Sequence, residues 1–188
     1  MIAIARPSGS HQWTVCTGSH KMQQDIISSS SSAAADAGTL AHEVATQLFN
    51  FYLVEGEFLS DSDLIKIEGV TAEMIDSARL YVHDVIDYCN THGLIKSLHV
   101  EEKLNLDCIY PGMSGTPDSW VFNETDNTLV VWDLKYGFGL VDEYENPQLI
   151  IYAAGIISLL KLINVKVKLK IVQPRAYHPD GSIREWTL

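Results

Sequence analysis

The stretch Gly115-Thr-Pro-Asp-Ser-Trp-Val-Phe-Asn-Glu-Thr-Asp-Asn-Thr-Leu-Val-Val-Trp-Asp-Leu-Lys135 decides how this chain folds. It holds two β-type runs, Ser119–Phe122 and Thr128–Leu134, on either side of the turn-prone Asn123–Asn127. A hairpin is expected, and it brings Asp118 at the start of one run beside Asp133 at the end of the other. Val130, Val131 and Trp132 are consecutive apolar residues, the pattern of a strand buried on both faces. Asp133 and Lys135 are two apart and share a strand face. On such a strand both are costly unless paired or put to use. An ion pair at a frayed strand end accounts for them as well as an active site does. Asp118 adds weight to the second reading, because two neighbouring carboxylates repel unless a cation lies between them. Two carboxylates, waters and a substrate phosphate suit Mg²⁺ or Mn²⁺. Lys135 would then orient an attacking water or neutralise charge developing at phosphorus.

Upstream, His99–Leu106 alternates as a first strand, with Pro111-Gly112 as a turn. Glu101 and Glu102 point to opposite faces of that strand, and Glu101 is the one expected at the site. Thr71–His92 reads as a helix with Met74, Ala78, Tyr81, Val82, Val85 and Ile86 on its apolar side and Gly93 as its stop. Ala33–Phe51 reads as another, with Leu40, Val44, Leu48 and Phe51 on one face and Asp36 or Thr39 as the cap. It carries His42. A lone helical His is usually structural, but beside a carboxylate pair it can ligate a metal. Arg6–Ser19 is irregular and rich in turn formers, and Ser28–Ser32 reads as a flexible loop.

Downstream, Gly137 and Gly139 loosen the loop after the hairpin. Asn146 or Glu145 opens a helix to about Leu162. Gln148 and Tyr152 are four apart on it and share a face. They are a surface Gln and a core Tyr, or a polar pair that reaches the active site or the DNA backbone. Asn164–Gln173 is a strand reached through that helix, so it runs parallel to one of the hairpin strands. Asp180-Gly181 makes a turn, and Ser182–Leu188 pairs back as an edge strand. The class is α/β: a mixed sheet flanked by helices.

With 188 residues, one domain is expected. A net charge of -11 argues against a generic cationic nucleic-acid coat. It leaves room for local phosphate contacts through metal ions, helix N-termini and a few bases. Arg6, Lys21, Lys103 and Arg175 are the bases expected to line a groove. Cys16, Cys89 and Cys108 are few, odd in number and without a C-x-x-C, which argues against a disulfide scaffold and for a reducing cytoplasm. The chain shows neither a signal peptide nor an apolar run of ~20 residues, so no membrane partner is expected.

Gly38-Thr-Leu-Ala-His42, Val100-Glu101, Gly115-Thr-Pro-Asp118, Asp133-Leu-Lys135 and Gln148-x-x-x-Tyr152 together resemble the PD-(D/E)XK nuclease superfamily. The set is most similar to the RecB-like branch, which includes exonucleases of phage recombination and DNA repair. Five motifs in order over residues 38–173 are a specific signal, where a single D-x-K is not. Pro7–Ser19 and Ile171-Val-Gln-Pro-Arg175 extend the likeness to nearly the whole chain.

The resemblance implies one nuclease domain over residues 1–188. Residues 1–37 would be an irregular N-terminal segment, 38–173 the catalytic core and 174–188 a C-terminal edge strand. It implies a restriction-endonuclease-like core with a four-stranded mixed sheet in α-βββ-α-β order. It implies that Asp118 and Asp133 bind Mg²⁺ or Mn²⁺, assisted by the Leu134 carbonyl, and that Lys135 is the catalytic lysine. Glu101 would be a further acid of the site, and His42 a metal ligand or a substrate-positioning residue. Gln148 and Tyr152 would complete the branch's helix motif.

The activity so implied is an exonuclease that hydrolyses DNA phosphodiesters with a metal-activated water. A single-strand annealing or recombination protein would be its partner, a homo-oligomer is compatible with it, and the host cytoplasm would be its place if it is phage-encoded. Some members of the branch carry a four-cysteine iron–sulfur cluster; three scattered cysteines lead us to expect none. No Walker lysine loop marks the chain as a helicase. Two other readings are a catalytically silent DNA-binding or recombination-accessory module on the same fold, and a hydrolase of smaller phosphate esters.

Overall fold

The computed structural model describes residues 5–19, 22 and 32–188, so Lys21 and the serines at 28–31 lie outside the described residues. Helices α1 (Ala33–Glu55), α2 (Ala72–His92) and α3 (Pro147–Leu160) flank a mixed sheet. The sheet is built from β1 (His99–Val100), β4 (Ser119–Asn123), β5 (Thr128–Leu134), β6 (Lys166–Val172) and β7 (Ile183–Thr187), in the order β1-β4-β5-β6-β7. Two short strands, β2 (Leu104–Asn105) and β3 (Ser114–Gly115), pair separately. Single helical turns lie at Ser10–Trp13 and Asp61–Leu64, and 3₁₀ turns at Pro7–Gly9 and Ile95–Ser97.

The β4–β5 hairpin forms as expected, with Ser119 opposite Trp132. Its turn is closed by the Thr125 N–H donating to Asn123 Oδ1, and Asn127 adopts a φ of 53°. β5 is buried along its whole length. Val130, Trp132 and Leu134 pack with Val44, Leu48 and Val85 of α1 and α2, while Leu129 and Val131 pack with Leu149 and Ile156 of α3. The α3 crossover brings β6 in parallel to β5. β7 then adds antiparallel to β6, so the sheet has five strands rather than four. The fifth is the C-terminal edge strand, turned back at Gly181, where φ is 90°.

The alternating run His99–Leu106 is not one strand. Glu101 takes a left-handed backbone, φ 49°, which ends β1 after two residues and sends Leu104-Asn105 to pair with β3. Alternation cannot signal this, because a non-glycine residue in that region is uncommon and carries no pattern. The cap of α1 is Ser32, whose hydroxyl accepts the Ala35 N–H, rather than Asp36 or Thr39. α1 buries Ala41, Val44, Ala45, Leu48 and Phe49, a stripe turned slightly from the predicted one, and leaves Phe51 exposed. α2 is capped by Thr71 and stops at Gly93, and every predicted apolar position on it is buried. Arg6–Ser19 is more ordered than its composition implies, with its two turns packed against α3. Asn146 caps α3 by accepting the Leu149 N–H, and the helix ends at Leu160. Among the described residues no helix is long and apolar enough to cross a membrane.

Candidate active site

The hairpin register carries Asp118, just before β4, to the same end of the sheet as Asp133 near the end of β5. Asp118 is buried, and its Oδ2 accepts the Leu134 N–H at 2.6 Å. Leu134 thus reaches the site through its backbone. The Asp118 carbonyl accepts the Glu101 N–H at 3.0 Å, which fixes the chain where β1 breaks. From there Glu101 Oε1 lies 3.6 Å from His42 Nδ1, and Asp118 Oδ1 lies 3.5 Å from the same nitrogen. Glu102 pairs with His99 instead. Of the two glutamates, Glu101 is therefore the one that reaches the site. One potential ligand atom from each of His42, Glu101 and Asp118 falls within 4.8 Å of the others.

Asp133 and Lys135 share the face of β5 that meets α3. Lys135 Nζ lies 2.7 Å from Asp133 Oδ2 and donates to Gln148 Oε1 at 3.0 Å. Gln148 Nε2 donates in turn to Asp133 Oδ1 at 3.0 Å. Gln148 therefore ties the acid and the base together from α3, and Tyr152 follows one turn later, buried. Tyr152 packs on Gly115. A Cβ at that glycine would sit 2.8 Å from both Tyr152 Cε1 and Pro7 Cγ, so the glycine of the Gly115-Thr-Pro-Asp118 run is required by close packing. These residues, with Arg6, Ser8 and Thr116, line a cavity of about 370 Å³.

Charge is unbalanced here. Burial raises the Asp118 carboxyl, and neighbouring Asp133 raises it further against the pull of His42 and Lys135. Asp118 holds the His42 imidazole up at about 9, against burial and with help from Glu101 and Asp133. Burial pulls the Lys135 ammonium down, but Asp133 and Asp118 outweigh it and its net shift is upward. Lys135 is thus a charged donor at neutral pH. Burial first, and then the two aspartates, raise the Tyr152 phenol, which stays protonated.

Asp133 Oδ2 is buried against the Lys135 ammonium at 2.7 Å and meets no further polar partner among the described residues. That contact leaves the carboxylate oxygen with acceptor capacity to spare. The carboxylates of Asp118, Glu101 and Asp133, with the His42 imidazole once it gives up its proton, are a donor set that fits a hard divalent cation.

The other predicted bases are dispersed. Arg6 lines the cavity, whereas Lys103 borders a separate depression beside Leu104 and Asp107. Arg175 is tied to Glu73 at 2.9 Å, and Lys21 is outside the described residues. Sequence reading missed Ser8, Ser114 and Thr116 as wall residues, and Ser119, whose Oγ accepts the buried Tyr81 hydroxyl at 2.7 Å behind the site. The turn formers Pro7-Ser-Gly-Ser10 were the available signal for Ser8, but no periodicity says where such a segment docks.

Fold and site together define an α/β protein that gathers three acids, a histidine and a lysine around one hairpin end. The chain belongs to the family described as Protein of unknown function (DUF2800), whose model matches residues 3–188.

Proposed function

We propose that this chain is a metal-dependent DNA nuclease of the exonuclease type, with a restriction-endonuclease-like core, acting in recombination or repair. The observation that carries the reading is the convergence of Asp118, Asp133 and Lys135 in one cavity, with His42 and Glu101 gathered at Asp118. Asp118 and Asp133 would hold the ion, with His42 and Glu101 at its side. When bound, Mg²⁺ or Mn²⁺ supplies Lewis-acid polarisation of the phosphate and a lowered pKa for water.

The chain's own residues do the rest. Gln148 and Asp133 engage Lys135 from two directions and leave its ammonium a further N–H to offer. That donor neutralises charge growing on the phosphate oxygens during in-line displacement, and it is already oriented before the substrate arrives. Arg6 at the cavity wall contacts the same anion or its neighbour. Tyr152, a neutral phenol packed on Gly115, fixes the loop that carries Asp118.

Cleavage of end-labelled linear DNA and closed circular DNA, each with Mg²⁺, Mn²⁺ or chelator, tests the proposal. Metal-dependent release of nucleotides from linear DNA alone is expected. Cutting of closed circles would exclude a pure exonuclease, and no cleavage of either with any metal would defeat the nuclease reading.

A further inference from the structure

The loop leaving the site carries an aromatic side chain that the proposed chemistry does not use. From Lys135 the chain runs Tyr136-Gly-Phe138-Gly139. Tyr136 is buried with Ala41 and Met74, yet Phe138, two residues on, is 69% exposed. The loop around it is held firmly. Gln173, fully buried, donates from Nε2 to the carbonyls of Gly137 and Gly139 at 3.0 and 2.7 Å. Its Oε1 accepts the Val141 N–H at 3.0 Å, and buried Arg184 donates to the Val141 carbonyl at 2.6 Å. The Arg175 guanidinium lies over the Phe138 ring at 3.9 Å and over Tyr136 at 4.3 Å.

The backbone on both sides of Phe138 is thus clamped by a side chain from the sheet. The ring is backed by a cation, and most of its surface still meets water. Clamping removes the conformational cost of presenting the ring, which is what a binding surface needs and a packing residue does not. Two residues lie between Lys135 and Phe138, so their Cα atoms are at most about 11 Å apart. An exposed ring on the loop that leaves the cavity suits the face of a nucleobase next to the bound phosphate, since stacking on aromatic side chains and Arg planes is the common sequence-tolerant contact.

We infer that Phe138 stacks on an unpaired nucleobase flanking the phosphate held in the Asp118–Asp133–Lys135 cavity, so that the substrate strand is single-stranded where it is cut. Inside a duplex both faces of an internal base are covered by its neighbours, so a base flanking an internal phosphate must leave the stack to meet Phe138; a duplex end still offers one face, which is why the blunt duplex is part of the test. The inference rests on the nuclease reading and adds the form of DNA to it.

The test begins with wild-type protein and Mg²⁺ on a single-stranded oligonucleotide and on a hairpin duplex closed at one end and blunt at the other. Binding is then measured by anisotropy with Ca²⁺ in place of Mg²⁺, using oligonucleotides with one abasic nucleotide moved stepwise along the strand. One abasic position should weaken wild-type binding by about tenfold, within the range of about fivefold to 150-fold that base–aromatic stacking supports. Phe138→Ala should weaken binding of the intact oligonucleotide by the same factor and become insensitive to the abasic position, and Phe138→Trp should restore both. A merely structural role for Phe138 would not produce that insensitivity at one nucleotide. If DNA is cut but Phe138→Ala binds as wild type, or the blunt duplex is cut as fast as the single strand, this inference falls and the nuclease reading stands. If wild-type protein cuts neither DNA, both fall.

Discussion

Asp118→Asn removes one charge and keeps the shape of the side chain. The amide oxygen can still accept the Leu134 N–H that Asp118 accepts at 2.6 Å, so the end of β5 should hold. What changes is the field at His42, 3.5 Å away. Asp118 is the largest reason that His42 sits at about 9 instead of 6.5. At 1.36 kcal/mol per pKa unit that rise represents roughly 3 kcal/mol, of which about 2 survives screening at a partly exposed ring. A histidine raised in the fold contributes stability fully below 6.5 and loses it as the pH climbs through about 9. Asp118 is itself raised, by burial first, so the fold also loses stability as that carboxyl ionises above its ordinary 3.8. Both slopes have the same sign. Between about pH 4 and 9 these two groups should make metal-free wild-type protein lose stability as the pH rises, and Asp118→Asn should flatten that part of the curve. The variant should be close to wild type near neutrality and more stable than wild type above pH 9.

Metal reverses the order. An ion that binds only the folded state at a hundred times its Kd adds about 2.7 kcal/mol. For a chain of this size that is about 5–11 °C in thermal midpoint. Wild type should show this rise with Mg²⁺ or Mn²⁺, and Asp118→Asn should show none and cleave no DNA. Circular dichroism melts with and without chelator across the pH range, together with His42 titration by NMR, measure all of it. A variant that keeps the metal-induced rise, or in which His42 still titrates near 9, would refute the charge network described for this site.

Asp133→Ala should abolish metal-dependent cleavage and leave the fold intact at a cost of about 1–2 kcal/mol, because Lys135 is exposed enough to turn its ammonium to water; unchanged cleavage would remove Asp133 from the site. Lys135→Ala should lower turnover by about a hundredfold or more while keeping the metal-induced thermal shift. Loss of that shift would make Lys135 structural. His42→Ala should weaken activity, and a neutral result would demote the residue to packing. Because His42 must release its proton to coordinate, metal affinity measured by calorimetry should tighten as the pH approaches about 9 in wild type and be flatter in His42→Ala.

Much of the site was legible because it lies where two periodicities are cleanest. The unbroken Thr128–Leu134 run marks a strand buried on both faces, and on such a strand the parity of Asp133 and Lys135 leaves only one arrangement, the shared face seen beside Gln148. The spacing of Gln148 and Tyr152 on α3 is equally unambiguous. The departures lie at positions decided by contacts distant in sequence. Pro7 docks on Gly115, more than a hundred residues away, by shape alone. The C-terminal edge strand pairs as expected, but its anchor does not show in the pattern: Arg184 reaches Glu143 and the Val141 carbonyl across the sheet end.

The break at Glu101 is the most telling of these departures. Alternation assigns Glu101 and Glu102 to opposite faces of one continuous strand and offers no reason for it to stop. In the fold, the Glu101 N–H is taken by the Asp118 carbonyl and its φ is 49°, a conformation that a side-chain-bearing residue adopts at a cost. The same residue then reaches His42, while its neighbour turns away to His99. Local sequence rules therefore fail at the residue where the chain gives up a regular strand to complete a cluster of acids around an imidazole. Such a failure is expected where backbone conformation is held by a site rather than by strand pairing, and a strained glutamate next to the site is its physical trace.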